Sequence, residues 1–356
     1  MSPNPLIIDG HNDTLLNLYK PDRGGGRSFF VKDDKGHIDL PRAQEGGFGG
    51  GFFAIFVPPN LPDSFFEDRK EGRPTKADID LYTAPIESVY AQEFTDTLIE
   101  LLFELEHESD GQLQVVRTVD DLTSCLDREV LAAILHFEGA EAISPDLSNL
   151  EEYYKAGLRS IGLTWSRSNA FAHGVHFGFN ESPDTGPGLT AEGKQLIAAC
   201  NRLGVVIDLS HLNEKGFWDV AELSDAPLVA THSAVHKICP STRNLTDEQI
   251  DAIGRSGGII GLNFHVGFVR PDGKQDSDTP LSNLVDHIVY ITERIGVDHV
   301  ALGSDFDGAT MPDELGDVSG LPKLLTALRE AGFSEGELSK IAHENWLRIL
   351  RQTWTQ

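Results

Sequence analysis

The sequence predicts an α/β fold, a closed (β/α)8 barrel of the TIM type. Three observations lead there. Eight short apolar runs recur along the chain, helix-like segments separate most of them, and residues able to bind metal fall just past the ends of the runs. The runs are Leu6–Asp9, Phe52–Val57, Ala132–His136, Ser160–Thr164, Val205–Leu209, Leu228–Thr231, Ile259–Asn263 and Val300–Gly303. They are β-branched or otherwise apolar without clean polar alternation, as parallel strands covered on both faces are. Strands alternating with helices imply a parallel sheet, and eight of them suggest a closed one.

The helices carry recognisable starts. Thr246 with Gln249, and Ser334 with Glu337, have the spacing of capping boxes ahead of apolar faces. Leu284, Val285, Ile288, Val289, Ile291 and Ile295 share one helical face, so Ser282–Arg294 reads as the helix before the last strand. Two segments depart from the repeat. A long insertion separates the second and third strands and includes a helix near Ile86–Glu106. The Gly- and Asn-rich stretch Ser166–Gly188 follows the fourth strand without helical periodicity, and loops of that length are more often functional than inert. Length alone permits one barrel-sized domain or two smaller ones. With no short repeat and no linker, a single domain over residues 1–356 is expected.

Composition narrows the function. The chain is 40% apolar and 24% charged, ordinary for a globular protein, and its formal charge is −27, from 56 Asp and Glu against 29 Lys and Arg. Such a surface repels phosphate backbones and anionic lipid, so neither nucleic acid nor a membrane surface is expected as a partner. Cys125, Cys200 and Cys239 are far apart and form no CxxC pair, which argues against disulfides and a thiolate zinc site. The start, MSPNPLIIDGHND, shows no secretory pattern, and no window approaches the ~20 apolar residues of a membrane helix. Cytoplasmic residence is the expectation.

His11 and Asp13 follow the first strand, Glu138 the third, His211 the fifth, His232 the sixth and Asp305 the eighth. In a barrel those strand ends converge on one face, where barrel enzymes place their active sites. HxD spacing sends His11 and Asp13 to one side of an extended segment. Imidazoles with carboxylates suit zinc and similar divalent ions. Five first ligands are too many for one catalytic zinc with an open position but suit two ions, with Glu138 giving an oxygen to each. Singly, each residue reads as a structural histidine or a helix cap; jointly, at six strand ends, they read as a site. His136 shares the side of Glu138 and fits equally a residue behind the ligands or a packed histidine. Gly46–Gly51 precedes a strand and is no dinucleotide fingerprint. His173 and His176 read as solvent-facing, Cys239 lacks a basic partner, and no G-x-S-x-G elbow occurs.

IIDGHNDT, HFEGAEAI around Glu138, DLSHLN at His211, ATHSAVH at His232, STRN at Arg243, GSDFDG at Asp305 and HENWLRIL together resemble the membrane (renal) dipeptidases, from Asp9 to Leu350 and in the family's order. These are two-zinc barrel enzymes of the amidohydrolase superfamily. The resemblance implies that His11 and Asp13 hold one Zn2+, His211 and His232 the other, and that Glu138 bridges. It implies Asp305 as acid/base residue and Arg243, with Asn244 beside it, as binding the substrate carboxylate. The expected reaction is hydrolysis of dipeptides, often with a D-residue second, and some relatives also open β-lactams. A homodimer would be in keeping with the family. The chain departs at Trp165, where eukaryotic members have histidine, and at His265, where they have tyrosine; both positions border the substrate there.

By charge, two divalent ions less Asp13, Glu138 and a bridging hydroxide leave a positive site that lowers the pKa of bound water toward ~7. That hydroxide would attack the carbonyl, and Asp305 would pass its proton to the leaving amine. The competing readings are lactone, ester or N-acyl amino acid hydrolysis on the same site, and a metal-binding scaffold without catalysis.

Overall fold

The computed structural model describes residues 4–20, 25–60 and 80–354. These residues contain nine strands, all paired in parallel: β1 (Ile7–Asn12), β2 (Phe48–Phe56), β3 (Leu113–Val115), β4 (Leu131–Glu138), β5 (Leu158–Gly162), β6 (Val206–Asp208), β7 (Val229–Ser233), β8 (Ile259–Leu262) and β9 (Val300–Leu302). Eight of them run in the order β2-β1-β9-β8-β7-β6-β5-β4, and β4 pairs back onto β2, closing the ring. Every predicted run is a strand of this (β/α)8 barrel.

The ninth strand is a finding the apolar pattern did not give. Residues 113–115 of β3 pair with the first three residues of β4, whereas β5 pairs with its last four, so β3 occupies the edge of β4 before β5 takes it over. It lies in the predicted insertion, with the helices Ser88–Glu108 and Val119–Asp127; residues 61–79 of that insertion lie outside the described residues. β2 also starts four residues earlier than expected, taking the glycines in. Its neighbours require them: a Cβ on Gly50 would stand 2.3 Å from the Ala132 carbonyl oxygen of β4. Close strand approach outweighs the poor intrinsic β-propensity of glycine.

Both predicted capping boxes close, Thr246 and Ser334 each accepting from the backbone N–H three residues on. The helix expected at Ser282–Arg294 spans Ser282–Ile295. The loop after β5 carries no helix between residues 163 and 190 and is tied down by short bridges such as Gly174 to Leu212 and Phe179 to Ser241.

The core has two layers because strand residues alternate. One set, including Ala133, Leu135 and Phe137 of β4, packs outward on the helices. The other, including Ile8, Phe52, Ala132, Ile134, Val206, Val229, Ile259 and Ala301, forms a second cluster with Trp346 and Leu350 of the C-terminal helix Asn345–Thr353. Trp346 is fully buried, packs on Phe52 at 4.9 Å between ring centroids, and donates its indole N–H to the Leu302 carbonyl. Beneath the strand ends the interior is therefore apolar and filled. No helix among the described residues is long and apolar enough to cross a membrane.

Candidate metal centre and active site

The alternation that buries Ala132 and Ile134 of β4 continues through His136 to Glu138, the strand's last residue. On β1 the register against β2 shifts between Asp9 and Asn12, an irregularity of the kind that re-aims a side chain, and it brackets His11. His232 lies within β7, while His211 and Asp305 sit three residues beyond β6 and β9. The last two hold positive φ, 65° and 64°, a conformation that persists where surroundings enforce it. Here the Asp305 N–H donates to the His11 carbonyl at 3.0 Å, and the His211 carbonyl accepts from Val175 N–H at 2.7 Å.

All five predicted ligands meet. Glu138 Oε1 lies 3.0 Å from His211 Nε2 and 3.6 Å from His232 Nε2, and those two nitrogens are 3.0 Å apart. Glu138 Oε2 lies 3.7 Å from His11 Nε2, which is 3.6 Å from Asp13 Oδ2. The donor atoms of His11, Asp13 and Asp305 come within 4.8 Å of one another, as do those of His11, Glu138 and His232. Tetrahedral zinc with bonds of ~2.0–2.1 Å has its ligand atoms ~3.3 Å apart, which the separations at His211, His232 and Glu138 bracket. Two imidazole lone pairs cannot face each other at 3.0 Å without a proton or a cation between them. The donor set therefore fits divalent metal, with one carboxylate oxygen turned to each group. Gly308 makes room for the acidic side: a Cβ there would stand 2.0 Å from Asp13 Oδ2 and 2.6 Å from Asp305 Oδ1.

Burial pulls the His211 and His232 rings well below the ordinary histidine range, helped by the positive Arg243 and His11, so both are neutral at pH 7. Burial also acts downward on His11, but Glu138, Asp13 and Asp305 together outweigh it and push the ring up to about 10. Glu138 is raised well above the usual carboxyl value by burial, against the pull of His11. Without a cation, the His11–Glu138 pair holds a proton. His136 is fully buried with its edge on the His11 ring, 5.3 Å between centroids; burial drives it down to about 3, and its Nδ1 pairs with Ser160 Oγ at 2.9 Å. It packs behind the predicted ligands.

Arg243 is 97% covered, its relative exposure being 3%. Its Nη2 donates to the His232 carbonyl at 3.1 Å, its guanidinium lies 5.4 Å from the Phe268 ring centre, and its Nε has no partner among the described residues. Among the described residues it makes no ion pair within 4 Å, although Asp305 and Glu138 act on it at longer range. Burial lowers it to about 10, opposed by Asp305 and Glu138, and it remains charged at neutral pH. His265 stacks edge-on against Phe268 at 4.6 Å and hydrogen-bonds Thr310 through Nδ1. Asn244 uses its amide on the carbonyls of Cys239 and Phe268, bracing the loop that carries Arg243. Trp165 stands 5.8 Å from the His211 ring, in a wall with Phe56 and Phe177. His176 is exposed and pairs with Glu181, and His173 is half-buried on Ser168.

The model of the membrane dipeptidase family, peptidase family M19, matches residues 3–356. The chain belongs to that family. This dipeptidase is a metal-dependent hydrolase on the barrel the sequence predicted. It is 50% identical over 256 residues to an uncharacterized protein in the pqqA 5'region of Klebsiella pneumoniae, covering 72% of this chain and 94% of that one. It is 28% identical over 349 residues to the dipeptidase tcpJ of Claviceps purpurea, covering 97% and 76%. Among solved structures it resembles a Rhodobacter sphaeroides metallo peptidase liganded with a phosphinate mimic of the dipeptide L-Ala-D-Ala, with TM-score 0.92, 45% identity, and 99% and 100% of the chains covered.

Several residues that support the dipeptidase site escaped the sequence reading. Asp208 and Thr231 buttress His232, Ser166 pairs with His211 Nδ1 at 2.8 Å, and Asn263 donates to Asp305 Oδ2 at 2.9 Å. Arg167, 3.3 Å from Glu141, lies against both Trp165 and Phe56 and so fixes the aromatic wall. Only Asp208 and Thr231 carried a legible signal, as polar residues within the apolar strands that lead to His211 and His232.

Proposed function

We propose that this dipeptidase holds two zinc ions, one by His11, Asp13 and Glu138 and the other by His211, His232 and Glu138, and cleaves dipeptides of the form L-Xaa-L-Xaa or L-Xaa-D-Xaa. The observation that carries this reading is Glu138, whose two oxygens each face a separate donor group. When bound, such ions supply Lewis acidity and water acidified toward neutral pH.

The chain supplies the rest. Arg243, buried and with its Nε unpartnered among the described residues, grips the free carboxylate of the substrate through its planar guanidinium. A longer peptide would place an uncharged amide there and leave a buried charge unmatched, which selects for two residues. Asn263 holds Asp305 by Oδ2, orienting the carboxylate to take a proton from the attacking water and return it to the leaving amine. Trp165 and His265 border the substrate, Trp165 beside His211 and His265 against Phe268, the ring that Arg243 also faces, while Asn244 positions Arg243. The liganded Rhodobacter sphaeroides structure supports small L,D-dipeptides as the starting class.

The test is to incubate zinc-loaded protein with L,L- and L,D-dipeptides, the matching dipeptide amides and tripeptides, and to measure free amino acids. Dipeptides should be cleaved best. Arg243→Ala should raise KM for dipeptides by about 10–100-fold, the scale of a lost charge-assisted pair, and spare the amides. Equal loss on both substrates counts against the role given to Arg243, and no release from any dipeptide overturns the function.

A further inference from the structure

Within the proposed cation site, His232 is held by a chain of hydrogen bonds whose direction can be read. The Thr231 hydroxyl donates to Asp208 Oδ2 at 2.6 Å. Its single hydrogen is thereby used, so toward His232 Nδ1, 2.9 Å away, it presents a lone pair. The ring must then carry its hydrogen on Nδ1. That leaves Nε2 bare where it faces Glu138 Oε1 and His211 Nε2. The other oxygen, Asp208 Oδ1, accepts the backbone N–H of Ser210 at 3.0 Å and of Thr231 at 2.8 Å, the residues just before His211 and His232. Ser210 Oγ in turn accepts from the His232 N–H at 3.1 Å. All of these groups are buried.

We propose that Asp208 is a positioning residue that acts through Thr231 to hold His232 in its metal-binding tautomer and ties the backbones of His211 and His232 at a fixed separation. The proposal rests on the two-ion reading, and its test separates the two.

The bond directions make the isosteric change informative. In Asp208→Asn, the two backbone donors keep the amide oxygen in the place of Oδ1. The NH2 group is then forced into the place of Oδ2, facing Thr231. The hydroxyl must accept from it and donate to His232 Nδ1, which moves the ring hydrogen to Nε2, the position a cation needs. Thr231→Val removes the hydroxyl without imposing that wrong form, and Thr231→Ser preserves the relay.

Metal-free wild type, D208N, T231V and T231S are titrated with zinc against a chromophoric chelator, and 15N spectra of histidine-labelled metal-free protein report the ring tautomers. Wild-type His232 should show hydrogen on Nδ1. D208N should weaken one of the two ions by about 10–100-fold and shift the hydrogen to Nε2. T231V should lose less than D208N, and T231S should match wild type. A wild-type His232 with its hydrogen on Nε2 overturns the proposal whether or not the variants fold, and so does D208N binding both ions as wild type does. T231V losing as much as D208N reduces the relay to plain packing and overturns it as well. Wild type taking up only one ion, or none, would instead remove the two-ion reading on which the proposal stands.

Discussion

His11 and His232 lie with their ring centres 3.8 Å apart, yet the protein drives them in opposite directions, His11 up to about 10 and His232 well below the ordinary range. Both are fully buried, so burial does not distinguish them. The surroundings do. Around His11 stand the carboxylates of Asp13, Glu138 and Asp305, and among the described residues no group lies within ordinary hydrogen-bond distance of either ring nitrogen. Around His232 and His211 stand hydroxyls, Thr231 and Ser166, each bonded to the Nδ1 atom that faces away from Glu138. One half of the centre is built with charge and the other with hydrogen-bond direction. A carboxylate-rich half attracts a cation but also attracts a proton when the cation is missing. A half built from neutral rings excludes the proton but has to fix its tautomer, which is the work of Thr231 and Asp208.

The largest expected effect follows from Asp305 standing on the charged side. Asp305→Asn keeps the hydrogen-bonding shape beside Asn263 but cannot shuttle a proton. Turnover of a dipeptide should fall by about 10²-fold or more with both proposed zinc ions retained, as read by steady-state kinetics and metal analysis. Loss of an ion together with turnover would make Asp305 a ligand, and the charged half would have to be redrawn around it.

A smaller effect reads the contrast directly. At neutral pH the metal-free centre keeps a proton on the His11–Glu138 pair, whereas His211 and His232 are already neutral. Filling the first half should therefore release about one proton and filling the second nearly none, since ligands must be deprotonated before they bind metal. Zinc calorimetry in buffers of different ionisation enthalpy measures this. Equal release from the two binding events would erase the distinction between the halves.

What the sequence revealed follows the same division. The strands were legible because those buried on both faces need apolar side chains throughout, and the clustering of the proposed ligands because a barrel gathers the ends of its strands on one rim. The start of β2 was not, since its glycines answer to the backbone of β4, far away in sequence. β3 was not, because the half-buried Gln114 interrupts its apolar residues, whereas the equally short β6 and β9 sit within apolar runs. Asp208 and Thr231, 23 positions apart, become partners only when β6 and β7 lie side by side. Residue type announces a ligand, but the direction of a hydrogen bond exists only in space.

The smallest effect concerns a buried histidine with no metal to bind, which shows what neutrality costs by itself. On the helix Ser282–Ile295, His287 accepts the Val235 N–H through Nδ1 at 3.0 Å, and its Nε2 meets the Val269 carbonyl at 3.1 Å. Accepting at Nδ1 requires the neutral ring, and burial lowers the group to about 4. The unfolded chain binds a proton below ~6.5 and the folded one does not until the pH nears that lower value. Stability from this group is thus whole above ~6.5 and drains away as the pH falls toward 4, by roughly 3 kcal/mol at ~1.4 kcal/mol per unit. His287→Gln removes the titrating group and should flatten the pH dependence of urea unfolding between pH 7 and 5, at some loss of stability at pH 7. An unchanged slope would mean that His287 is not kept neutral, and it would weaken the same argument for His232, which rests on the same balance of burial and directed hydrogen bonds.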